Sequence, residues 1–204
     1  MVEITGRKLP FWAKCMTLVA SLTLSGAVWA TDAAPQVSIK TNMGEIVLEL
    51  DPAKAPKTVD NFLQYVKTGH YTGTIFHRVI NGFMIQGGGY DKTMVEKSVH
   101  KPIPNEAQNG LKNLTYSVAM ARTQDPDSAT AQFFINVGNN AALDYPGRDG
   151  SGYAVFGKVI RGMDVVDKIK AVAVTDAGPY QNVPVKAVVI ESATLLKKPG
   201  AAKL

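Results

Sequence analysis

Hydrophobic and polar residues alternate in several short runs of this chain, and a period of two predicts β-strands. The first two runs, 37–41 and 45–50, are separated by Asn42-Met43-Gly44, which predicts a turn joining two antiparallel strands. Later runs with the same pattern predict strands at 115–122, 131–137, 153–160 and 185–196. The chain is therefore expected to consist mainly of short antiparallel strands.

Two stretches have the spacing of helices instead. Apolar residues recur every three or four positions within 58–66, which predicts an amphipathic helix with Thr58 as its cap and Gly69 at its end. Residues 163–170 predict a second, shorter helix. Because the helices do not alternate with the strands, a parallel βαβ architecture is excluded. The pattern favours a mainly β fold, a closed eight-stranded antiparallel barrel with two helices covering the ends.

A hairpin near the middle of the chain combines regular structure with candidate chemistry. Asn81-Gly82 predicts a two-residue turn between two strands. If Val79 points into the core, alternation places Arg78 on the opposite face, and it places Met84 and Gln86 together on one face of the returning strand. An arginine in this setting either covers the hairpin with its apolar stem or faces a site lined by uncharged side chains.

The strand predicted at 131–137 has two different faces. Alternation places Phe134 beside Gln132 and Asn136, whereas a strand that served only the core would not need two amides next to a large aromatic. Residues 91–113 predict a long surface loop with a short pairing segment around Ile103, and loops of this length are often functional.

The 204 residues, 46% of them hydrophobic and 19% charged, suit one globular domain. In the first thirty residues, basic side chains precede an apolar run at 15–28, and Val28-Trp29-Ala30 offers the small residues that signal peptidase reads. This pattern predicts a signal peptide at 1–30, cleaved after Ala30. The run is shorter than the roughly twenty residues of a membrane-spanning helix, so no stable membrane association is expected.

Charge and ligand-type residues argue against several other functions. The formal net charge is +5, but the lysines are scattered and form no basic stripe with aromatics, so a nucleic-acid partner is not indicated. The three histidines lack the spacing of zinc ligands, so no metal is expected. Gly87-Gly88-Gly89 is not followed by the Lys-Ser or Lys-Thr of a phosphate-binding loop, and tight backbone turning is a sufficient explanation for it.

A hydrolytic site is also not indicated. His77 lies beside Arg78 in the sequence, but adjacent strand residues are expected to point to opposite faces. No Ser or Cys lies in a motif suited to nucleophilic catalysis. The single cysteine, Cys15, belongs to the predicted signal peptide, so the remaining chain must hold together without a disulfide.

Several separated motifs of the chain resemble the cyclophilin-type peptidyl-prolyl cis-trans isomerases, and in particular their bacterial exported members. The motifs are Phe76-His77-Arg78-Val79-Ile80 with Phe83-Met84-Ile85-Gln86-Gly87-Gly88, then Ser117-Val118-Ala119-Met120-Ala121-Arg122, Ser128-Ala129-Thr130-Ala131-Gln132-Phe133-Phe134-Ile135 and Tyr153-Ala154-Val155-Phe156-Gly157-Lys158-Val159. The similarity runs from about residue 37 to 196. We therefore expect a linker at 31–36, an isomerase domain at 37–196 and a flexible tail at 197–204.

The resemblance implies rotation about X-Pro peptide bonds in exported proteins, in a bacterial periplasm, by a monomer without a cofactor. Arg78 is implied as the catalytic residue. The implied substrate-binding residues are Phe83, Met84, Phe134 and Leu143 for the proline pocket, Gln86 and Gln132 with the backbone of Ala119, Met120 and Ala121 for polar contacts, and Tyr153. The alternative is a holdase that grips proline-containing segments with little turnover, and Arg78 argues against it.

One position differs from the pattern of cyclosporin-sensitive cyclophilins. By spacing from Phe134 and Leu143, the tryptophan of those proteins corresponds to Ala142. Trp12 and Trp29 both lie within the predicted signal peptide, so the remaining chain has no indole N–H to offer a bulky ligand. Weak cyclosporin binding is expected.

Overall fold

A computed structural model describes residues 2–3 and 34–197 of the chain. The predicted signal peptide, apart from residues 2 and 3, and residues 198–204 of the predicted tail lie outside the described residues. The chain divides by its internal contacts into Met1–Asp32 and Ala33–Leu204, and all the helices and strands given below belong to the second unit. None of the helices in the described ranges is long and apolar enough to cross a membrane.

The described residues form ten strands and two α-helices. The strands are β1 Gln36–Thr41, β2 Gly44–Leu50, β3 Thr74–Ile80, β4 Met84–Asp91, β5 Ser117–Met120, β6 Phe133–Asn136, β7 Val155–Arg161, β8 Val174–Ala177, β9 Tyr180–Pro184 and β10 Ile190–Leu195. The helices are α1 Pro56–Lys67 and α2 Met163–Lys170. Every predicted strand and both helices are present, and β1 begins at Gln36, within the predicted linker.

Eight strands form one antiparallel sheet in the order β10-β1-β2-β7-β5-β6-β4-β3. The two edges meet through a single bridge between Ile75 and Val189. Two backbone hydrogen bonds, from Phe76 N to Val188 O at 2.9 Å and from Gly73 N to Ile190 O at 2.8 Å, support this closure. The predicted barrel is therefore confirmed, although a short seam rather than a full strand ladder nearly closes it.

The barrel interior is aromatic, and α1 contributes to it. Phe62 of α1 packs with ring centroids 5.1–5.6 Å from Tyr71, Phe133 and Phe156, and all four side chains are buried. Helix α2 buries Val165, Val166 and Ile169 against the same core. Burial of this apolar surface supplies the main stabilising term of the fold.

The cap of α1 differs from the prediction. The N-cap residue is Ala55, and Thr58 lies inside the helix. The carboxylate of Glu106 accepts the backbone N–H groups of Lys57 and Thr58 at 3.1 and 2.8 Å, and the Thr58 hydroxyl at 2.7 Å. The long loop after β4 thus caps the helix, because a carboxylate at a helix N-terminus satisfies its free donors.

The hairpin of β8 and β9 was not predicted. Three of the four residues of its first strand are exposed, so the strand lacks the alternation of buried and exposed positions that marks the barrel strands. A turn at Gly178-Pro179 joins the two strands, and Gly178 has a φ of +58°, which favours glycine. The hairpin lies beside β3, next to the segment that carries Arg78.

Candidate active site

A second hydrophobic cluster lies outside the barrel core, on the opposite face of β4, β5 and β6. Its buried members are Met84, Ala119, Phe134 and Val155. The neighbours of Phe134 in the sequence, Phe133 and Ile135, belong to the barrel core instead. The predicted alternation of the β6 strand is thereby confirmed, and it creates an apolar surface separate from the core.

The predicted pocket residues come together on this outer cluster. Phe83, Leu143 and Tyr153 are partly buried against Met84 and Phe134. The rings of Phe134 and Tyr153 meet edge to face with centroids 5.8 Å apart. The cluster borders a cavity of about 640 Å³ lined by Phe83, Asn139, Asn140, Ala141, Ala142, Leu143, Arg148, Asp149 and Tyr153.

A β-bulge determines the direction in which the Arg78 side chain points. Phe76 pairs with Gly87 while Arg78 pairs with Gln86, so two residues of β3 oppose one step of β4. Phe76 and Val79 both point into the barrel core. The two residues between them, His77 and Arg78, both line a second cavity, which lies next to the β8–β9 hairpin. The expectation that adjacent residues point to opposite faces is therefore wrong here, because the bulge interrupts the alternation.

Hydrogen bonds link Arg78 to two amides. Its Nη1 donates to Oε1 of Gln86 at 3.5 Å, and Nε2 of Gln86 donates to Oε1 of Gln132 at 2.9 Å. The first bond is long and weak, so the guanidinium keeps most of its donor capacity. No carboxylate among residues 34–197 lies within ion-pair distance of Arg78.

The glycine run serves close packing as well as turning. It lies within β4, and a side chain at Gly89 would place its Cβ 2.5 Å from Cγ of Gln132. Gly88, with a φ of +88°, lies against the rings of Tyr71 and Phe133. The explanation by turning alone is incomplete, because Gly89 provides the space in which the Gln132 side chain lies.

A cavity of about 330 Å³ adjoins Arg78, and sequence reasoning missed it. It is lined by His77, Arg78, Gln86, Tyr90, Gln132, Pro179, Tyr180 and Gln181. The last three residues come from the β8–β9 hairpin, whose Tyr180 ring lies 5.3 Å from that of Tyr90. The Gly178-Pro179 pair was the one signal in the sequence that could have indicated a turn there.

His77 is neutral in this environment. Burial, assisted by the neighbouring charge of Arg78, lowers the pKa of His77 to about 4. Its Nδ1 is buried and has no hydrogen-bond partner among the described residues. A pKa this low makes His77 a poor general base near pH 7, because efficient proton transfer needs a pKa near the operating pH.

Met120 does not contribute its side chain to the outer face. That side chain is buried in the barrel core, whereas Ala119 lies in the outer cluster and Ala121 packs beside it. The backbone N–H of Met120 donates to Ala154 O at 3.1 Å, and that of Ala121 donates to Gln132 O at 3.0 Å. Neither N–H is therefore free to bind a peptide.

Ala142 lies at the rim of the larger cavity, within a short 3₁₀ helix at Ala141–Leu143. Its side chain is exposed, and its neighbour Leu143 packs against the outer cluster. The position predicted to lack a tryptophan thus borders the pocket. Within residues 2–3 and 34–197, no group of three His, Cys, Asp or Glu side chains is arranged to hold a metal ion.

Comparisons with known proteins give consistent results. The family described as cyclophilin type peptidyl-prolyl cis-trans isomerase/CLD matches residues 36–195. Peptidyl-prolyl cis-trans isomerase A of Dickeya dadantii is 54% identical over 180 residues, which are 88% of this chain and 94% of that protein. A peptidyl-prolyl cis-trans isomerase of Streptomyces antibioticus is 60% identical over 162 residues, covering 78% of this chain and 98% of that one.

A solved structure shares the fold. A cyclophilin type peptidyl-prolyl cis-trans isomerase of Cryptosporidium parvum, crystallised in the presence of the dipeptide Ala-Pro, superimposes with a TM-score of 0.65 at 27% identity. The match covers 79% of this chain and 99% of that one.

Proposed function

The chain belongs to the cyclophilin-type peptidyl-prolyl cis-trans isomerases, and we propose that Arg78 and the apolar pocket beside it form its catalytic centre. The enzyme interconverts the cis and trans forms of X-Pro peptide bonds. One observation carries the assignment of the site: a guanidinium without a carboxylate partner among residues 34–197 lies beside the apolar pocket, because Arg78 pairs with Gln86 and Gln86 pairs in turn with Phe134.

The reaction needs neither a nucleophile nor a metal. Amide resonance holds the peptide C–N bond planar and produces a barrier of about 18–20 kcal/mol. The two isomers of an X-Pro bond differ by only about 1 kcal/mol and exchange in tens to hundreds of seconds. Raising a rate near 10⁻² per second to about 10³ per second requires lowering the barrier by roughly 7 kcal/mol.

The pocket and the arginine act on different parts of this barrier. An apolar pocket binds the proline ring and removes water from the amide, which disfavours the more polar planar form relative to the twisted one. A hydrogen bond from Arg78 to the prolyl nitrogen localises the nitrogen lone pair, and that bond forms only as resonance is lost. The interaction is therefore stronger in the transition state than in either ground state.

The long hydrogen bond to Gln86 leaves Arg78 able to donate to the prolyl nitrogen as well. A planar guanidinium can hold Gln86 with one edge and reach the substrate with another. Gln86 is in turn held by Gln132, which orients its carbonyl oxygen toward Arg78. Because both amides are neutral, the positive charge remains available to the substrate.

The substrates proposed here are proline-containing segments of exported proteins during folding. The support is the sequence of residues 1–30, in which basic residues, an apolar run and Val28-Trp29-Ala30 fit a cleavable signal. The proposed location is a bacterial periplasm. Cell fractionation with N-terminal sequencing of the product tests this, since export predicts a chain beginning at Thr31 outside the cytoplasm, whereas a cytoplasmic full-length chain contradicts it.

A coupled assay on a proline tetrapeptide tests the activity and the site together. The purified protein should accelerate isomerisation, and Arg78→Ala should remove most of that acceleration without unfolding the protein. A holdase would suppress the aggregation of an unfolded client while leaving the isomerisation rate unchanged. That result would contradict the proposal.

A further inference from the structure

Arg122 carries a charge, yet only 3% of its side chain is exposed. Its Nε and Nη2 both donate to the carbonyl oxygen of Gly152, at 3.1 and 2.8 Å, and its Nη1 donates to Thr123 O at 2.9 Å. Nη2 also forms an ion pair with the carboxylate of Asp149. A guanidinium can serve all these acceptors because its five donors lie in one plane, an arrangement that lysine lacks.

The segment that Arg122 holds leads directly to the pocket. Oδ1 of Asp149 accepts the backbone N–H groups of Ser151 and Gly152, both at 3.0 Å. Hydrogen bonding to Arg122, with these two N–H groups, lowers the pKa of Asp149 to about 2, so the ion pair is intact at neutral pH. Asn105 donates to the same Gly152 carbonyl at 3.2 Å. The residue before Tyr153 is therefore fixed by several independent bonds.

The guanidinium also covers the Tyr153 ring, with Cζ 4.3 Å from the ring centroid. A cation within about 6 Å of an aromatic face is attracted to it, and more strongly where water is excluded. The same ring meets Phe134 edge to face, and the backbone N–H of Tyr153 donates to Leu143 O at 2.8 Å. Arg122 thus contacts the ring face of a pocket residue.

We propose that Arg122 is a positioning residue that fixes Tyr153 as a wall of the proline pocket, an inference that rests on the function proposed above. Arg122 acts through Tyr153 and its backbone. A firm wall binds the proline ring in the cis, trans and twisted forms alike, so loosening it weakens binding of substrate and transition state together. Such a loss raises KM and leaves kcat nearly unchanged.

The test compares Arg122→Ala and Arg122→Lys with a matched control, Arg161→Ala, in the full chain. Arg161 is an exposed arginine on β7 whose ion pair with Glu45 spans 3.8 Å, on the side of β7 that pairs with β2. Both Arg122 variants should raise KM for a proline tetrapeptide about tenfold, the effect of losing about 1.4 kcal/mol of binding. Their kcat should stay within about threefold of the wild type, and Arg161→Ala should match the wild type in both constants.

The lysine variant separates positioning from simple stability. It keeps a positive charge near Asp149, so it should fold even if Arg122→Ala does not, but it cannot lie flat on the ring. In spectra of ¹³C-tyrosine-labelled protein, the Tyr153 ring signal, assigned with Tyr153→Phe, should shift in Arg122→Lys and stay in place in Arg161→Ala.

Two outcomes would overturn the inference. If Arg122→Lys has the wild-type KM and an unmoved Tyr153 signal, a positive charge alone positions Tyr153 and the planar guanidinium is not needed. If both Arg122 variants lower the melting temperature while KM is unchanged, Arg122 only stabilises the fold. If the wild type is active and either result is found, only this inference is contradicted. If the wild type is inactive, the proposed function is contradicted and the inference with it.

Discussion

Arg78 and Gln86 face each other across the β3–β4 ladder, and Nη1 of the arginine donates to Oε1 of the glutamine at 3.5 Å. The guanidinium lies at the border of the outer apolar cluster, and its neutral partner leaves the positive charge in place. Because the bulge at 77–78 turns Arg78 to this face, the ladder itself positions the proposed catalytic group.

Phe134→Ala tests whether the outer cluster is a binding pocket. The change removes a side chain that is 4% exposed and should cost about 3 kcal/mol in combined binding and packing, within the range for a buried aromatic. Stability should fall less than activity, because Phe134 lies outside the barrel core. Chemical denaturation and kcat/KM on the same samples measure both.

The control for that variant is the preceding residue. Phe133 is fully buried in the barrel core, so Phe133→Ala should lose stability chiefly. If Phe134→Ala loses stability and activity in the same proportion as Phe133→Ala, the side chain is part of the core and the pocket is misassigned.

The sequence predicted much of this site because alternation is a local signal. The two faces of the β6 strand followed from the order Gln132, Phe133, Phe134 alone. Family resemblance implied which outward residues would bind substrate. The structure brings the pocket side chains together, whereas the Met120 side chain lies in the core. For Met120 the resemblance implied only a backbone contact, and that assignment stays a prediction.

The remaining features depend on contacts between distant parts of the chain. The bulge that turns both His77 and Arg78 outward depends on the register with β4, which the sequence of β3 alone does not specify. The Glu106 carboxylate caps a helix 48 residues away, and the β8–β9 hairpin lacks a hydrophobic pattern. Local reasoning cannot find such long-range pairings.

His77 should make stability depend on pH. Its pKa is about 4 in the folded protein and about 6.5 in the unfolded chain, so the unfolded state binds the proton more readily as the pH falls. Stability should therefore decrease between about pH 6.5 and pH 4, by at most about 3.4 kcal/mol. Denaturant unfolding across this range measures the effect.

His77→Phe is the matching variant, since it keeps a ring beside Tyr90 without a titrating group. In this variant the free energy of unfolding should depend much less on pH between about 6.5 and 4. A smaller slope should remain because burial also lowers the pKa of His70. An unchanged slope in His77→Phe would mean that His77 is not the group responsible.

Gly89→Ala should damage the site through Gln132. A Cβ at Gly89 would displace the Gln132 side chain and break its bond to Gln86, a bond worth about 0.5–1.5 kcal/mol. We expect kcat/KM to fall by up to about tenfold. In a Gln132→Ala background, Gly89→Ala should lower kcat/KM little further. If the effects of the two changes on kcat/KM were fully additive, Gly89→Ala would not act through Gln132.

Ala142→Trp should tighten cyclosporin binding while changing turnover little. Residues 34–197 contain no tryptophan, so this rim offers a bulky ligand no indole N–H, whereas a short substrate depends on the pocket and Arg78. Isothermal titration with cyclosporin, beside the peptide assay, measures both effects. Nanomolar binding by the unmodified protein would show that this rim contact is dispensable.

Substitution of Arg78 tests the central claim most directly, with kcat/KM on a proline tetrapeptide and the free energy of unfolding measured on the same preparations. Arg78→Ala should lower kcat/KM at least tenfold, equivalent to about 1.4 kcal/mol of transition-state stabilisation, and leave unfolding nearly unchanged because the side chain faces a cavity. Arg78→Lys should recover little, since an ammonium cannot hold Gln86 and the prolyl nitrogen with two edges of one plane. An Arg78→Ala variant that isomerises the peptide at nearly the wild-type rate would contradict the account.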